Sequence, residues 1–259
     1  MELGIVVPAY DPDVGRLRSY VQALAATFES ATIRIQLDGP EPGVQEALDD
    51  LPAVVNVSPV RRGKGAAITQ GFEALDADVL AFADGDGSTP PESLSAVIDP
   101  LLAGKADLSV GSRRHPDAEI GSHQTYARRW LGDAFAWLAR RLLDATLYDY
   151  QCGAKAITRD AWERVRSHLY EPGFAWDVEL VAMAGGLDLR IVEVPITWHD
   201  QPDSTVSPVS TSIDMGRNLL ISRHRAKLLA DDALHSAIAA YRERPAALVD
   251  RPEPGETDD

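Results

Sequence analysis

The chain has 259 residues, 45% of them hydrophobic, enough to bury one substantial core without requiring a second domain. Its formal net charge of −15, with lysine only at Lys64, Lys105, Lys155 and Lys227, excludes a general nucleic-acid binder, which needs a basic surface. No apolar run approaches the roughly 18 residues of a membrane span, and the lone Cys152 rules out an internal disulfide framework and fits a reducing compartment.

The opening MELGIVVPAY carries no basic leader and reads directly as a first strand, Leu3–Val7. Short apolar runs then alternate with helix-like segments, the pattern of an α/β protein on a parallel sheet. Further strands are expected at Ile33–Leu37, Val54–Val57, Val79–Ala83 and Asp107–Val110. Helices are expected at Val14–Phe28, Pro42–Leu51 and Ala66–Leu75, with another opened by Pro90–Pro91 and running to about Leu102, its prolines in the permitted first turn. From about Gly121, Leu131, Ala134, Phe135, Leu138 and Leu142 share one helix face, with Arg129, Asp133 and Arg140 roughly opposite. Trp130 and Trp137 flank that face, a composition that suits a membrane interface as well as ordinary core. Ile191–Val194 reads as a strand, Gln201–Pro208 as a loop and Ile213–Leu229 as a helix. A single domain over 1–230 is expected, followed by an extension over 231–259 whose proline-rich, acidic tail reads as disordered from about Arg244.

The polar residues of interest lie just after strands: Tyr10 and Asp11, Asp38, the Asp84–Ser88 loop and Arg113. Ligands gather at such carboxyl ends in open α/β sheets. Asp84-Gly85-Asp86 follows VLAFA, and two aspartates one residue apart at a strand end can hold a divalent ion that neutralises a diphosphate. The run lacks the glycine and final glutamate of a calcium loop; a turn with solvated aspartates is the plainer alternative. Asp38 can accept hydrogen bonds from a nucleotide's base or ribose, or simply shape the turn before Gly39-Pro40. Arg61-Arg62-Gly63-Lys64-Gly65 precedes a helix and suits an anion, with Lys64 as a point charge, although it is not a P-loop. Cys152 reads as a small packed residue, and the six histidines show no paired metal spacing.

Taken in order, IVVPAYDP, LDGP, RRGKGAAITQGF, FADGDGSTPPE, VGSRR, the pair Arg128-Arg129, DYQCGAKAITRDAW, FAWDVEL, EVPITWHD and MGRNLL resemble the polyprenyl- (dolichyl-) phosphate hexose synthases of inverting glycosyltransferase family 2, over about residues 3–225. The acidic composition suits a member from a halophilic archaeon. The resemblance implies the GT-A fold, an α/β architecture with a Rossmann-like, mainly parallel central sheet flanked by helices. It implies transfer of a hexose, with UDP-glucose favoured as donor and GDP-mannose second, to a polyprenyl phosphate, at the cytoplasmic face of a membrane that the protein contacts peripherally. Pro8, Tyr10, Asp11 and Asp38 would then meet the nucleoside, with Lys64 and Gly85 against the rest of the donor. Asp84 and Asp86 would hold Mg²⁺ or Mn²⁺, Asp177 in FAWDVEL would lie near the sugar, and Arg113 with Arg128 or Arg129 would bind the acceptor's phosphate.

The chain departs from the family pattern in four places. Pro12 stands where a glutamate is usual, Ser88 where the mannose branch has a third metal contact, Asp203-Ser204-Thr205 where a glycine-serine-lysine triplet is expected, and Gly132 where a serine is expected. A GT-A transferase with a soluble hydroxyl acceptor, a sugar-nucleotidyltransferase and a non-catalytic sugar-nucleotide binder remain as alternatives.

Acidity spread along the whole chain with scarce lysine is the composition of a surface whose self-repulsion is screened by concentrated salt. The melting temperature is expected to rise steadily from dilute buffer to molar KCl; a flat or falling curve would assign the acidity to a basic partner instead.

Overall fold

The structure, a computed structural model, describes residues 1–120, 126–199, 208–230, 232, 235 and 245–251, with all their side chains except those of 120, 126–131 and 208–213. Strands β1 (Leu3–Ala9), β2 (Thr32–Asp38) and β3 (Val54–Ser58) step outward in parallel, and β4 (Val79–Ala83) returns to the opposite side of β1. Beyond β4 the sheet continues with β7 (Ala154–Thr158), β5 (Leu108–Ser112) and β8 (Ile191–Pro195), in the order β3-β2-β1-β4-β7-β5-β8. Only β7 runs against its neighbours among the described ladders of this sheet. A short parallel ladder pairs β6 (Glu119–Ile120) with β9 (Thr197–Trp198) beside it.

Helices cover both faces, which explains why β4 and β5 are buried at every position. Alternation along the strands sorts the core into two layers. Ile5, Val7, Val79 and Ala81 pack with α1 (Val14–Thr27) and α3 (Pro91–Leu102). Val6, Leu80, Phe82 and Val110 pack with α2 (Lys64–Glu73), α4 (Tyr126–Leu142), α5 (Arg159–Val165), α6 (Trp176–Gly186) and α7 (Pro208–Leu229). The strand order reverses between β1 and β4, and the carboxyl ends at such a switch point are where doubly wound sheets form their ligand crevice.

Several expectations need correction. Residues 42–50 form successive turns, not a helix: Gly43 sits at φ +88°, and the bond from the Leu48 amide to the Gln45 carbonyl is of the tighter kind that does not propagate. Among the described side chains of α4 the buried positions are Ala136 and Ala139, flanked by Phe135 and Leu142 and followed by buried Leu143, while Ala134, Leu138 and Trp137 are exposed, so this part of the apolar stripe is rotated from the one expected; the side chains of Trp130 and Leu131 lie outside the described residues. Helix α7 starts five residues before Ile213. Residues 245–251 are ordered where an open tail was expected: the Leu248 amide donates to the Leu169 carbonyl at 2.8 Å, and Ala247 and Leu248 are buried. The rest of the expected tail lies outside the described residues.

Helices α6 and α7 are joined through Glu179, which is 0% exposed. It accepts from the amides of Tyr170 at 2.8 Å and Glu171 at 2.7 Å and pairs with Arg225. Removing that carboxylate leaves two amides and a guanidinium without it, a loss that in buried sites costs about 3 kcal/mol or more. Urea unfolding of Glu179→Ala is therefore expected to show a loss of about that size, with Glu179→Gln milder; an unchanged midpoint would show that this pair does not fasten the two helices.

Candidate active site

The 84–88 loop leaves β4 directly into the crevice. The Asp84 amide donates to the Gly153 carbonyl at 2.9 Å, and the Ser88 amide donates to Asp86 Oδ1 at 2.9 Å. These bonds set Asp84 half-buried and Asp86 exposed, side by side at the strand end. Asp84's carboxylate lies so close over Gly153 that a Cβ on that residue would stand 2.0 Å from Oδ2. Any larger residue there would push the Asp84 carboxylate from its place; Gly153 immediately precedes β7, a strand that sequence reading did not identify.

Beneath the loop is a buried charge network. Lys64 Nζ lies 2.8 Å from Asp84 Oδ1 and 3.0 Å from Asp177 Oδ2. Lys155 Nζ lies 2.7 Å from Asp177 Oδ1 and donates to the Cys152 carbonyl at 2.7 Å. The Phe82 ring underlies both ammonium groups, at 5.3 and 5.8 Å. Burial would raise the Asp177 carboxyl, but Lys155 and Lys64 together hold it below the ordinary carboxylate range. Burial lifts the Asp84 carboxyl; Lys64 draws it back, and Asp177 and Asp86 push it up again, leaving it above its ordinary value. Sequence reasoning missed Lys155. The signal was available in AKAIT: a lysine, rare in this chain, between apolar residues in a strand-length run.

The glycines of RRGKG allow close packing. A Cβ on Gly65 would meet the Trp176 Cβ at 2.5 Å and the Glu171 carbonyl at 2.6 Å, so only glycine lets α2 approach α6 closely enough for Lys64 to reach Asp177. Asp38, 3% exposed, fastens the turn before it: its two oxygens accept from the Arg62 and Gly63 amides, each at 2.7 Å. Pro8 lies partly buried near the end of β1, and Tyr10 just beyond is 49% exposed with the Arg61 guanidinium 3.8 Å above its ring. Asp11 follows at φ +45°, and Gly85 packs against the Pro8 carbonyl.

Arg113, at the end of β5, holds the buried Asp149 bidentately at 2.7 and 3.0 Å and lies 5.6 Å from the Trp198 ring. Burial opposes the Asp149 charge, but Arg113 prevails and brings its carboxyl down to about 2. The neighbouring Arg114 pairs with Asp133 of α4. The side chains of Arg128 and Arg129 lie outside the described residues, as do residues 203–205. Exposed His199 donates its amide to the Ser88 carbonyl at 2.9 Å, tying the end of β9 to the loop.

Among the described residues no group of three or more His, Cys, Asp or Glu gathers as a metal site. The loop nevertheless offers two carboxylates, and two buried hydroxyls in its neighbourhood, those of Tyr20 and Ser88, have no hydrogen-bond partner among the described residues. The Tyr20 ring packs beneath Gly87, and burial with the nearby Asp84 and Asp86 raises its hydroxyl well above the ordinary range. That donor set fits an oxygen-preferring divalent ion that keeps several waters. No described helix is long and apolar enough to cross a membrane.

Comparison with known proteins places this architecture. The glycosyltransferase AglD of Haloferax volcanii is 29% identical over 231 residues, 85% of this chain and 36% of that protein. The dolichyl-phosphate beta-glucosyltransferase of Mus musculus is 32% identical over 169 residues, 63% of this chain and 52% of that protein. The chain thus spans between about a third and a half of the length of these two relatives. Among solved structures, glucosyl-3-phosphoglycerate synthase from Mycobacterium tuberculosis, in complex with Mn²⁺, UDP-glucose and phosphoglyceric acid, aligns with a TM-score of 0.65 at 16% identity, covering 86% of this chain and 79% of that one. At that identity the likeness establishes the fold, which is GT-A. The profile described as Glycosyl transferase family 2 matches residues 4–166, a span that holds both aspartates of the 84–88 loop, Lys64 and Arg113, and on that match the chain belongs to glycosyl transferase family 2.

Proposed function

We propose that this chain is a metal-dependent inverting glycosyltransferase that moves a hexose, from UDP-glucose in preference to GDP-mannose, onto a polyprenyl (dolichyl) phosphate. One observation carries the reading: Asp84, Asp86 and Lys64 converge at the β1/β4 switch point of a family 2 GT-A domain. Relatives named dolichyl-phosphate beta-glucosyltransferase, from mouse to yeast, support the acceptor and the sugar. The neighbour that holds Mn²⁺ and UDP-glucose supports the donor class.

Asp84 and Asp86 would hold Mg²⁺ or Mn²⁺, which when bound neutralises the departing diphosphate. The exposed Tyr10, capped by Arg61, offers a flat surface at the end of β1 for the nucleoside, with Pro8 and Asp11 beside it. Asp38 fastens the turn with one backbone amide on each oxygen and keeps a further lone pair on each to accept from the nucleoside. Asp177, paired with two ammonium groups, is a poor proton acceptor, and its part is to position Lys64. A general base is not needed. A phosphate monoester, with a second pKa of about 6, is already an anionic nucleophile near neutral pH, whereas a sugar hydroxyl requires a base within hydrogen-bond reach. What such an acceptor needs is fixed positive charge, which Arg113 supplies at the end of β5, with Arg128 and Arg129 assigned to the same task from the family pattern. The enzyme would meet its lipid acceptor at the cytoplasmic membrane face without spanning it, and half-exposed Trp137 on α4 is available for that contact.

Chelation should abolish sugar transfer, and Asp84→Asn and Asp86→Asn should each lose about 100-fold or more while remaining folded. Gly153→Ala should mimic Asp84→Asn without touching a charge, because the added methyl occupies the place of the Asp84 carboxylate and a misplacement of that order costs about 100-fold. Full activity in excess EDTA would sink the metal assignment.

Acceptor class is tested separately. Arg113→Ala and Arg129→Ala should raise the polyprenyl phosphate concentration needed for half-maximal transfer while leaving nucleotide-sugar binding nearly intact. Arg113→Lys, which keeps a cation beside Asp149, controls for folding. Asp177→Asn should cost less than either loop aspartate variant. Loss of all transfer in Asp177→Asn alongside active arginine variants would point to a hydroxyl acceptor.

A further inference from the structure

The two lysines of the buried network are held differently. Lys155, 1% exposed, is the second residue of β7, in register with Phe82 on one side and Val110 on the other. A backbone carbonyl and Asp177 fix its ammonium at 2.7 Å each, so it is a permanent part of the sheet's interior. Lys64 is the first residue of α2, and the partners of its ammonium are both carboxylates: Asp177 at 3.0 Å and Asp84 at 2.8 Å. Its side chain is 12% exposed, that of Asp84 is 39% exposed, and Asp86 stands in the open beside them. Lys64 therefore bridges the buried interior and the crevice, and it rests on one of the two carboxylates to which the proposed function assigns the metal.

That position carries a consequence from charge alone. Counted by formal charge, the three carboxylates Asp84, Asp86 and Asp177 stand with the two ammonium groups of Lys64 and Lys155, one negative charge in excess. A divalent ion arriving alone would reverse that to one positive charge in excess and would lie against an ammonium competing for the same carboxylate. An anion arriving with the ion removes the conflict, since the ammonium can turn from Asp84 to the anion while Asp177 continues to hold it. Phe82, beneath both ammonium groups, leaves Lys64 no second carboxylate below it other than Asp177 among the described contacts.

We infer that Lys64 is an internal cation that competes with the metal for Asp84 and releases it when a diphosphate arrives, so that it contributes positive coupling between metal and nucleoside diphosphate. This rests on the assignment of Asp84 and Asp86 to the metal. Coupling of this kind is reciprocal: each ligand tightens the other by the same factor. Lys64 is thus a positioning residue whose work is done before any bond to the sugar breaks. The metal alone binds weakly because it must displace a charge-assisted hydrogen bond, and the nucleotide alone finds Lys64 turned toward Asp84.

Mn²⁺ binding to the full chain, followed by electron paramagnetic resonance with and without saturating UDP, tests this without reference to turnover. UDP is expected to tighten Mn²⁺ binding by about tenfold or more in the wild-type protein. Lys64→Gln is expected to bind Mn²⁺ alone about tenfold more tightly than wild type and to gain much less from UDP. Equal Mn²⁺ affinity and equal UDP dependence in Lys64→Gln and wild type would overturn the inference. Asp84→Asn separates that failure from a failure of the metal assignment. If Mn²⁺ binding is lost in Asp84→Asn but unchanged in Lys64→Gln, the assignment stands and the competition is wrong. If wild-type binding survives Asp84→Asn, both are wrong. Should Lys64→Gln not fold, the double variant Lys64→Gln/Asp177→Asn removes one charge of each sign, leaves Lys155 an amide oxygen, and is read by the same two outcomes.

Discussion

The site depends on a buried carboxylate that could not exist alone. Asp177 is 2% exposed, and an unpaired charge at that depth would cost several kcal/mol. Lys155 from the antiparallel strand and Lys64 from the start of α2 each supply an ammonium to one of its oxygens. Three elements remote in sequence, α2, β7 and α6, are thereby bound to one point. Because Lys64 also reaches Asp84, the same point sets the loop that faces the crevice.

Close backbone approach makes that arrangement possible. Gly65 lets α2 lie against Trp176, whose indole N–H donates to Thr69 on α2 at 3.1 Å. Gly153 leaves room for the Asp84 carboxylate, while Asp38 locks the turn that aims Lys64 inward. None of these residues needs to touch a substrate to matter, because each determines where a charge stands. Geometry of this kind favours catalysis by preorganised electrostatics, which suits the reaction proposed above, whose chief demand is stabilising a diphosphate as it leaves.

The distribution of charge over the molecule follows the same logic. The chain carries a net charge of −15, yet Arg61, Arg62, Lys64, Arg113 and Arg114 all follow strands at the carboxyl edge of the sheet. These cations stand among Asp38, Asp84, Asp86 and Asp149 at the same edge, so positive charge in this acidic molecule is gathered where its buried and half-buried carboxylates need it. Most of these cations are already engaged: Arg113 with Asp149, Arg114 with Asp133 and Lys64 with two aspartates. Such pairing keeps them oriented while their positive charge still adds to the local field.

The α/β class, the strands β1 to β5 and the place of the DGD loop at the end of β4 were legible from the sequence. Alternating apolar runs and strand-end aspartates are local patterns, and the ordered motifs pointed to family 2, in which the profile match places the chain. Two elements of the interior, α6 and β7, were not legible. WDVELVAMAGG has no polar face to betray a helix, and AKAIT hides a strand around a lysine that only Asp177 makes tolerable. The expected helix over 42–51 failed for the opposite reason, since a suitable spacing of apolar residues could not overcome Gly43 and the turns around it. The sequence by itself determined which residues carry charge and where strands end, because those depend on neighbours along the chain. Only the tertiary structure decided which charges meet. Asp177 and Lys64 are 113 positions apart, and nothing short of the packed α2–α6 contact brings them to 3.0 Å.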